Sequence, residues 1–290
     1  MNSLIAKLGR KVTPHLLPKS AVRSLSIRKE KRELTELPSV TVEARALITE
    51  RAADVRAWLG ADLTTEWNEL VRVLDPIRFG DKAGAVNPGD QRALYYIARA
   101  VKPRAVLEVG THLAASTSML ALGMRQSAPA DARASLRVTT VDIVDVNDPA
   151  RGGAWKRLGC SQSPADFLRG IGCDGLVQFV NQPSLQFLRT CQQRFDLIFL
   201  DGDHAARTVY HEVPAALGLL NDGGVILLHD FFPESRPLWA DGYVVPGPQL
   251  AVQRLREEAA PLVVKPLGAL PWPTKQNSNV SSLAVLCRRE

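Results

Sequence analysis

Apolar residues along the chain follow two alternating rhythms. Five short runs are predominantly apolar from end to end: Ala105–Val109, Arg137–Val141, Val177–Val180, Leu197–Leu200 and Val225–Leu228. Stretches with helical spacing separate them, near residues 113–124, 164–170, 184–193, 205–220 and 248–260. A strand apolar on both sides is buried on both faces, and intervening helices give parallel pairing. Two further runs, Leu262–Leu267 and Ser282–Arg288, have only a Pro-rich loop between them, so they read as an antiparallel pair. The pattern predicts an α/β chain: a doubly wound, mostly parallel seven-stranded sheet with a C-terminal antiparallel strand pair.

Upstream, residues 40–74 read as helical. Ala44, Leu47, Ile48, Val55, Trp58 and Leu59 fall near a 3.6-residue period, and Trp67, Leu70, Val71 and Leu74 continue it. Asp75-Pro76 breaks the pattern, residues 80–88 form a Gly/Asp/Pro loop, and a helix from Asp90 to Val101 stops before Pro103. The chain thus divides into an N-terminal arm (1–38), a helical extension (39–79) and a domain (80–290). The extension could serve as a lid or dimer contact, although core packing is the plainer role for Trp58 and Trp67.

Composition changes this picture mainly at the N-terminus. Hydrophobic content of 46% and charged content of 23% are those of an ordinary globular protein. The net charge of +6 is uneven: residues 1–32 carry nine Lys/Arg against one acid, and the remainder carries a net of −2. A near-neutral body argues against a domain that grips nucleic acid over a basic face. The arm places Leu4, Ile5, Leu8, Val12 and Leu16 at helical spacing beside Lys7, Arg10 and Lys11. It suits peripheral contact with an anionic membrane or a partner, resembles a transit segment in composition, and reads equally as a solvated basic tail. Cys160, Cys173, Cys191 and Cys287 have no close pairing and read as free thiols in a reducing, cytoplasmic setting.

Ligands of an open parallel sheet bind at the carboxyl ends of its strands, so the residues that follow each run carry the chemistry. The first run ends Glu108-Val109-Gly110-Thr111, with Ser116 shortly after. Gly110 permits a tight turn, and the next helix offers free N–H groups to an anion. The dinucleotide pattern G-x-G-x-x-G is absent, and an acid before the glycine suits a ligand with a positive amine. The second run closes with Asp142, placed to accept ribose hydroxyls, and the third leads to Ser184. The fourth ends Asp201-Gly202-Asp203-His204 and the fifth His229-Asp230. Paired carboxylates on rigid strand ends suit a hard divalent cation, and a neutral imidazole at His204 suits a general base.

In this order these motifs resemble the class I S-adenosylmethionine-dependent methyltransferases, nearest the metal-dependent catechol-type and macrolide-sugar O-methyltransferases. The resemblance covers about residues 80–290. It implies a Rossmann-like fold in which Glu108, Gly110, Thr111 and Ser116 meet the methionine end of S-adenosyl-L-methionine. It further implies that Asp142 holds the ribose and Ser184 lies near the adenine. Asp201, which borders the cofactor, and Asp230 would bind Mg²⁺, with His229 as a third ligand in place of the family's Glu or Asn. His204 would be the catalytic base, acting on a hydroxyl of a small molecule or glycan. Ala114 stands where relatives carry a second glycine. An RNA methyltransferase and a non-catalytic cofactor-binding protein are the rival readings. Acidic Asp201-Gly202-Asp203 disfavours the first, and a homo-oligomer is compatible with all three.

Overall fold

The computed structural model describes residues 18–74, 85–150, 154–258 and 260–290. A seven-stranded sheet runs through it in the order β3-β2-β1-β4-β5-β7-β6. The strands are β1 (Ala105–Val109), β2 (Arg137–Asp142), β3 (Val177–Asn181), β4 (Phe195–Leu200), β5 (Leu220–Leu228), β6 (Leu262–Pro266) and β7 (Ala284–Arg288). β1 to β5 pair in parallel, while β7 lies antiparallel to both β5 and β6. The sheet and its terminal strand pair are therefore those expected from the apolar runs. The strand order reverses between β1 and β4, which is where such a fold opens a crevice.

Successive residues of a strand face opposite sides, and both sides are filled. Val106, Leu197, Phe199, Val225 and Leu227 enter one core with α2 (Val55–Gly60), α3 (Thr64–Leu74), α4 (Pro88–Val101), α5 (Ala115–Ser127), α6 (Ala154–Arg157) and α7 (Pro164–Gly170). Leu107, Ile198, Leu200, Ile226 and Leu228 enter the other with α1 (Lys19–Thr35), α8 (Ser184–Thr190), α9 (Ala206–Leu217) and α10 (Gly247–Glu257). Truncating one such side chain, for example Phe199→Ala, costs about 3–5 kcal/mol. Helix α4, which walls the crevice, starts with Pro88 in its first turn, and Asn87 Oδ1 accepts the Asp90 N–H at 3.0 Å.

The N-terminal third differs from expectation in two places. Residues 39–54 are loop and turns with isolated bridges at Leu47 and Thr49, not helix. Ile48 N–H donates to Gly224 O at 2.9 Å, Glu50 N–H donates to Arg288 O at 3.0 Å and Arg288 N–H to Ile48 O at 2.9 Å, so residues 47–50 slot between β5 and β7 where those strands splay. Leu47 is buried there. Long-range pairing of this kind overrides a helical period read from the sequence. Within the supposed arm, Lys19–Thr35 is a helix that packs on α9 and α10 through Leu34 and Ile27. The apolar set Leu4 to Leu16, and with it the membrane and targeting readings, lies outside the described residues. Among the described residues no helix is long and apolar enough to cross a membrane. Trp67 is buried with its ring 5.7 Å from that of Tyr95, so it is core and not a lid.

Candidate active site at the strand ends

The carboxyl ends of the parallel strands are tied at one level. Gly110 N–H donates to Val141 O at 2.8 Å, Asp201 N–H to Val109 O at 2.9 Å and His229 N–H to Leu200 O at 3.1 Å. Gly110 has φ +97°, and a Cβ there would stand 2.1 Å from Asp201 O, so only glycine fits. Two cavities open above this line. One, of about 530 Å³, is bordered by Gly110, Thr111, Ser116, Asp142, Ser184 and Asp201 among others. The second, of about 910 Å³, is bordered by His229, Asp230, Trp239, Tyr243, Lys275 and Asn277 among others. Asp201 and His204 line both, and so stand at their junction.

The first cavity gathers most of the residues predicted to bind cofactor. Asp142 Oδ2 accepts the N–H groups of Thr111 and His112 at 3.1 Å each, and Oδ1 accepts that of Val144 at 3.0 Å. A carboxylate offers about four lone-pair sites, so Asp142 fixes the turn after β1 and keeps capacity for a ribose hydroxyl. Thr111 turns its hydroxyl inward to Thr140 at 2.6 Å. Ala114, at the expected glycine position, adopts φ +58°, and no side chain caps α5, which leaves its first N–H groups facing the cavity wall at Ala115 and Ser116. The Ser184 hydroxyl donates to Glu212 on α9, whose carboxyl burial pushes up to about 7. Ser184 therefore presents the edge of α8 to the cavity while its hydroxyl points away.

Glu108 lies fully buried behind Gly110. Its Oε2 accepts the hydroxyls of Thr117 and Thr140, the latter at 2.6 Å, while Oε1 has no partner. Burial pushes the carboxyl up to about 7, opposed by the hydroxyls of Ser116, Thr117 and Thr140. An unpartnered buried oxygen is costly, and Glu108 itself is not among the residues that line the first cavity.

At the junction, His204 Nε2 lies 3.5 Å from Asp230 Oδ2 and 3.9 Å from Asp201 Oδ1. Asp230 has φ +49°, a left-handed conformation that aspartate tolerates better than most residues. His229 sits deeper, with Nδ1 in a 2.7 Å ion contact with Asp201 Oδ1 and Nε2 3.6 Å from Asp90 Oδ2. Burial disfavours a charged ring, yet the carboxylates of Asp201 and Asp230 hold His229 well above its ordinary value. This bears on the expected metal. Among the described residues no group of three or more His, Cys, Asp or Glu side chains is placed to hold a metal ion. Asp201 is engaged by the His229 ring, so this donor set does not fit a hard cation as it stands.

Four participants escaped the sequence. Asp90 is fully buried on α4, takes the Asn87 amide at 2.7 Å and faces His229 and Ser282; in sequence it reads as an ordinary first-turn acid. His112 lines the first cavity, and burial lowers its ring below the ordinary value. Ser282 and residues 273–277 line the second cavity from a loop without periodicity. Val86 and Asn87 before α4, and Trp239 and Tyr243 after β5, line the second cavity.

Residues 107–231 match a family model described as a methyltransferase domain. The likeness to a methyltransferase domain spans 125 of the chain's 290 residues. The chain's sequence relatives include designated O-methyltransferases from Mycobacterium sp. (strain JLS), 29% identical over 147 residues, and Mycolicibacterium smegmatis, 30% identical over 148. Each match covers 51% of this chain, and it covers 57% and 60% of those relatives, so the chain aligns with little more than half their length. Among solved structures, a designated O-methyltransferase from Klebsiella pneumoniae superposes with a TM-score of 0.52 at 21% identity, covering 81% of this chain and 99% of that one. Cofactor-bound Rv0187 from MTB gives 0.51 at 23% identity, covering 82% and 97%. These superpositions show that the same fold extends beyond the matched segment to most of the chain.

Proposed function

We propose that the methyltransferase domain transfers a methyl group from S-adenosylmethionine to a hydroxyl of a small molecule or glycan. One observation carries this reading: two cavities, one lined by the residues suited to the donor and one by aromatic and amide side chains, meet at Asp201 and His204. The first cavity fits the donor. Asp142 would take the ribose hydroxyls, Glu108 and the free N–H groups of α5 with Ser116 the amino-acid end, and Ser184 the adenine side. Gly110 and Thr111 form the floor, where Gly110 lets the strand end pack directly against the Asp201 backbone. When bound, this donor supplies an already activated methyl group.

The remaining task falls to the protein. An alcohol must be aligned and relieved of its proton as it attacks. His204 Nε2 stands at the cavity junction with Asp230 beside it, so it can accept that proton while the carboxylate stabilises the imidazolium formed. His229 fixes Asp201 from below. Among the described residues the Mg²⁺ implied by the family resemblance has no assembled ligand set, and no step is assigned to it. Tyr243 offers a ring and Asn277 an amide to this cavity, while Thr274 and Gln276 are bonded to Ser278, Val280 and Asp241 and Lys275 covers the Trp239 ring, a lining compatible with a hydroxylated acceptor.

Calorimetric titration with S-adenosylhomocysteine, followed by an acceptor screen with S-adenosylmethionine, tests the reading. We expect binding by the wild-type protein and at least tenfold weaker binding by Asp142→Ala, since one well-made hydrogen bond to a charged group contributes about 1.5–3 kcal/mol. No binding by the wild-type chain would refute the assignment.

A further inference from the structure

The helix before the methyltransferase domain reaches the catalytic loop. Residues 201–206 carry His204 from the end of β4 into α9, and the first turn of α9 must satisfy its free N–H groups. The residue at its N-cap is Ala205, which has no side-chain oxygen to do so. Asp203 takes one place, accepting the Ala205 N–H at 3.1 Å and the Thr208 hydroxyl at 2.6 Å. The next N–H, of Ala206, donates to Glu30 Oε2 on α1 at 2.6 Å, across 176 residues of sequence. A carboxylate at a helix N-terminus is favoured by both the hydrogen bond and the helix dipole.

Three further contacts make this bond part of a brace. Leu34 and Ile27 seat α1 in the core beneath α9 and α10. Arg254 on α10 stacks on the Tyr210 ring at 4.4 Å and donates to the carbonyls of Leu34 and Leu37, fixing the end of α1. On the opposite side of the loop, a Cβ on Gly247 would lie 1.9 Å from His204 O, so the backbone of His204 is held tightly against the start of α10. At its other end α1 touches the acceptor side, where Lys19 Nζ donates to Asp241 O, in the loop that also carries Trp239 and Tyr243.

We propose that Glu30 is a positioning residue for the reaction: by capping α9 in place of a local cap, it sets the backbone of His204 and thereby the place of the base at the junction of the two cavities. This rests on the methyltransferase reading for its catalytic consequence, but not for its structural one. The test compares wild type, Glu30→Ala and Glu30→Gln, since an amide oxygen can still accept the Ala206 N–H. Hydrogen–deuterium exchange should speed up several-fold or more across 203–209 in Glu30→Ala, stay near wild type in Glu30→Gln, and not change across 107–116. Binding of S-adenosylhomocysteine should stay within about twofold in all three. Turnover of an acceptor found by screening should fall in Glu30→Ala by roughly tenfold to a hundredfold, the scale of a small misplacement of a catalytic group, with Glu30→Gln close to wild type. Unchanged exchange in Glu30→Ala overturns the brace. Faster exchange with undiminished turnover overturns its role in positioning His204. Absence of S-adenosylhomocysteine binding by the wild-type protein would instead remove the methyltransferase reading, and the exchange result would still decide the brace.

Discussion

Glu108→Gln gives a stability experiment that reports on the buried carboxyl behind Gly110 without any substrate. In the fold this carboxyl is fully buried, and burial raises it from 4.5 to about 7. Each tenfold in proton affinity corresponds to about 1.4 kcal/mol, so the displacement amounts to about 3 kcal/mol. The sign follows from which form the fold prefers. Between pH 4.5 and 7 the carboxyl is neutral in the folded chain and ionised in the unfolded one, so the folded state binds more protons and loses stability as pH rises. Above pH 7 the full cost is present. Glutamine has no proton to lose, so the variant should gain on the wild type by about 3 kcal/mol across this window. For a chain of 290 residues that corresponds to about 5 °C in melting temperature. Glutamine keeps an oxygen for the Thr117 and Thr140 hydroxyls and puts an amide where Oε1 is unpartnered, which adds an offset that does not vary with pH. The assay is thermal unfolding of both proteins at intervals from pH 4.5 to 8.5. Two curves that run parallel across the whole range would refute the reasoning, because the argument predicts a gap that widens and then levels near pH 7.

Three shorter predictions accompany it. Gly110→Ala must abandon φ +97° or force Asp201 O aside, so it should destabilise the protein by about 1–3 kcal/mol or more and abolish S-adenosylhomocysteine binding; a melting curve and a titration read both. His204→Ala should bind S-adenosylhomocysteine as the wild type does and lose about 10²–10⁴-fold in turnover, and a fully active variant would remove its role as base. Because Asp201 is paired with His229, EDTA should leave S-adenosylhomocysteine binding and turnover unchanged; loss of activity restored by Mg²⁺ would mean that the ring swings away to admit a cation.

Much of the sheet could be read from the chain because parallel strands bury both faces. Runs such as Leu197–Leu200 have no polar side, and few other structures tolerate that. That Gly110, Asp142 and Asp201 line one cavity followed from the same logic, since each closes a strand and neighbouring strand ends must lie together. Interactions between distant segments were not legible. Asp90 is buried only because α4 brings it against His229 and Ser282, more than a hundred residues further on. The Ser184 hydroxyl points to Glu212 through the packing of α8 on α9, which no local spacing reveals. Residues 39–54 carry a weak helical period, yet their backbone groups find partners on β5 and β7. A periodicity argument weighs side chains alone and cannot see such a partner.

The segment at residues 47–50 sets a practical limit on how this protein can be cut. Its backbone fills the gap between Gly224 and Arg288, and Leu47 plugs the floor of the sheet below it. A shortened version that began at residue 80, where the expected domain starts, would leave those main-chain groups bare and expose an apolar trough at the base of β5 and β7. Such a fragment should be sticky and prone to self-association, so a recombinant product meant for crystallography or screening ought to retain everything from α1 onward.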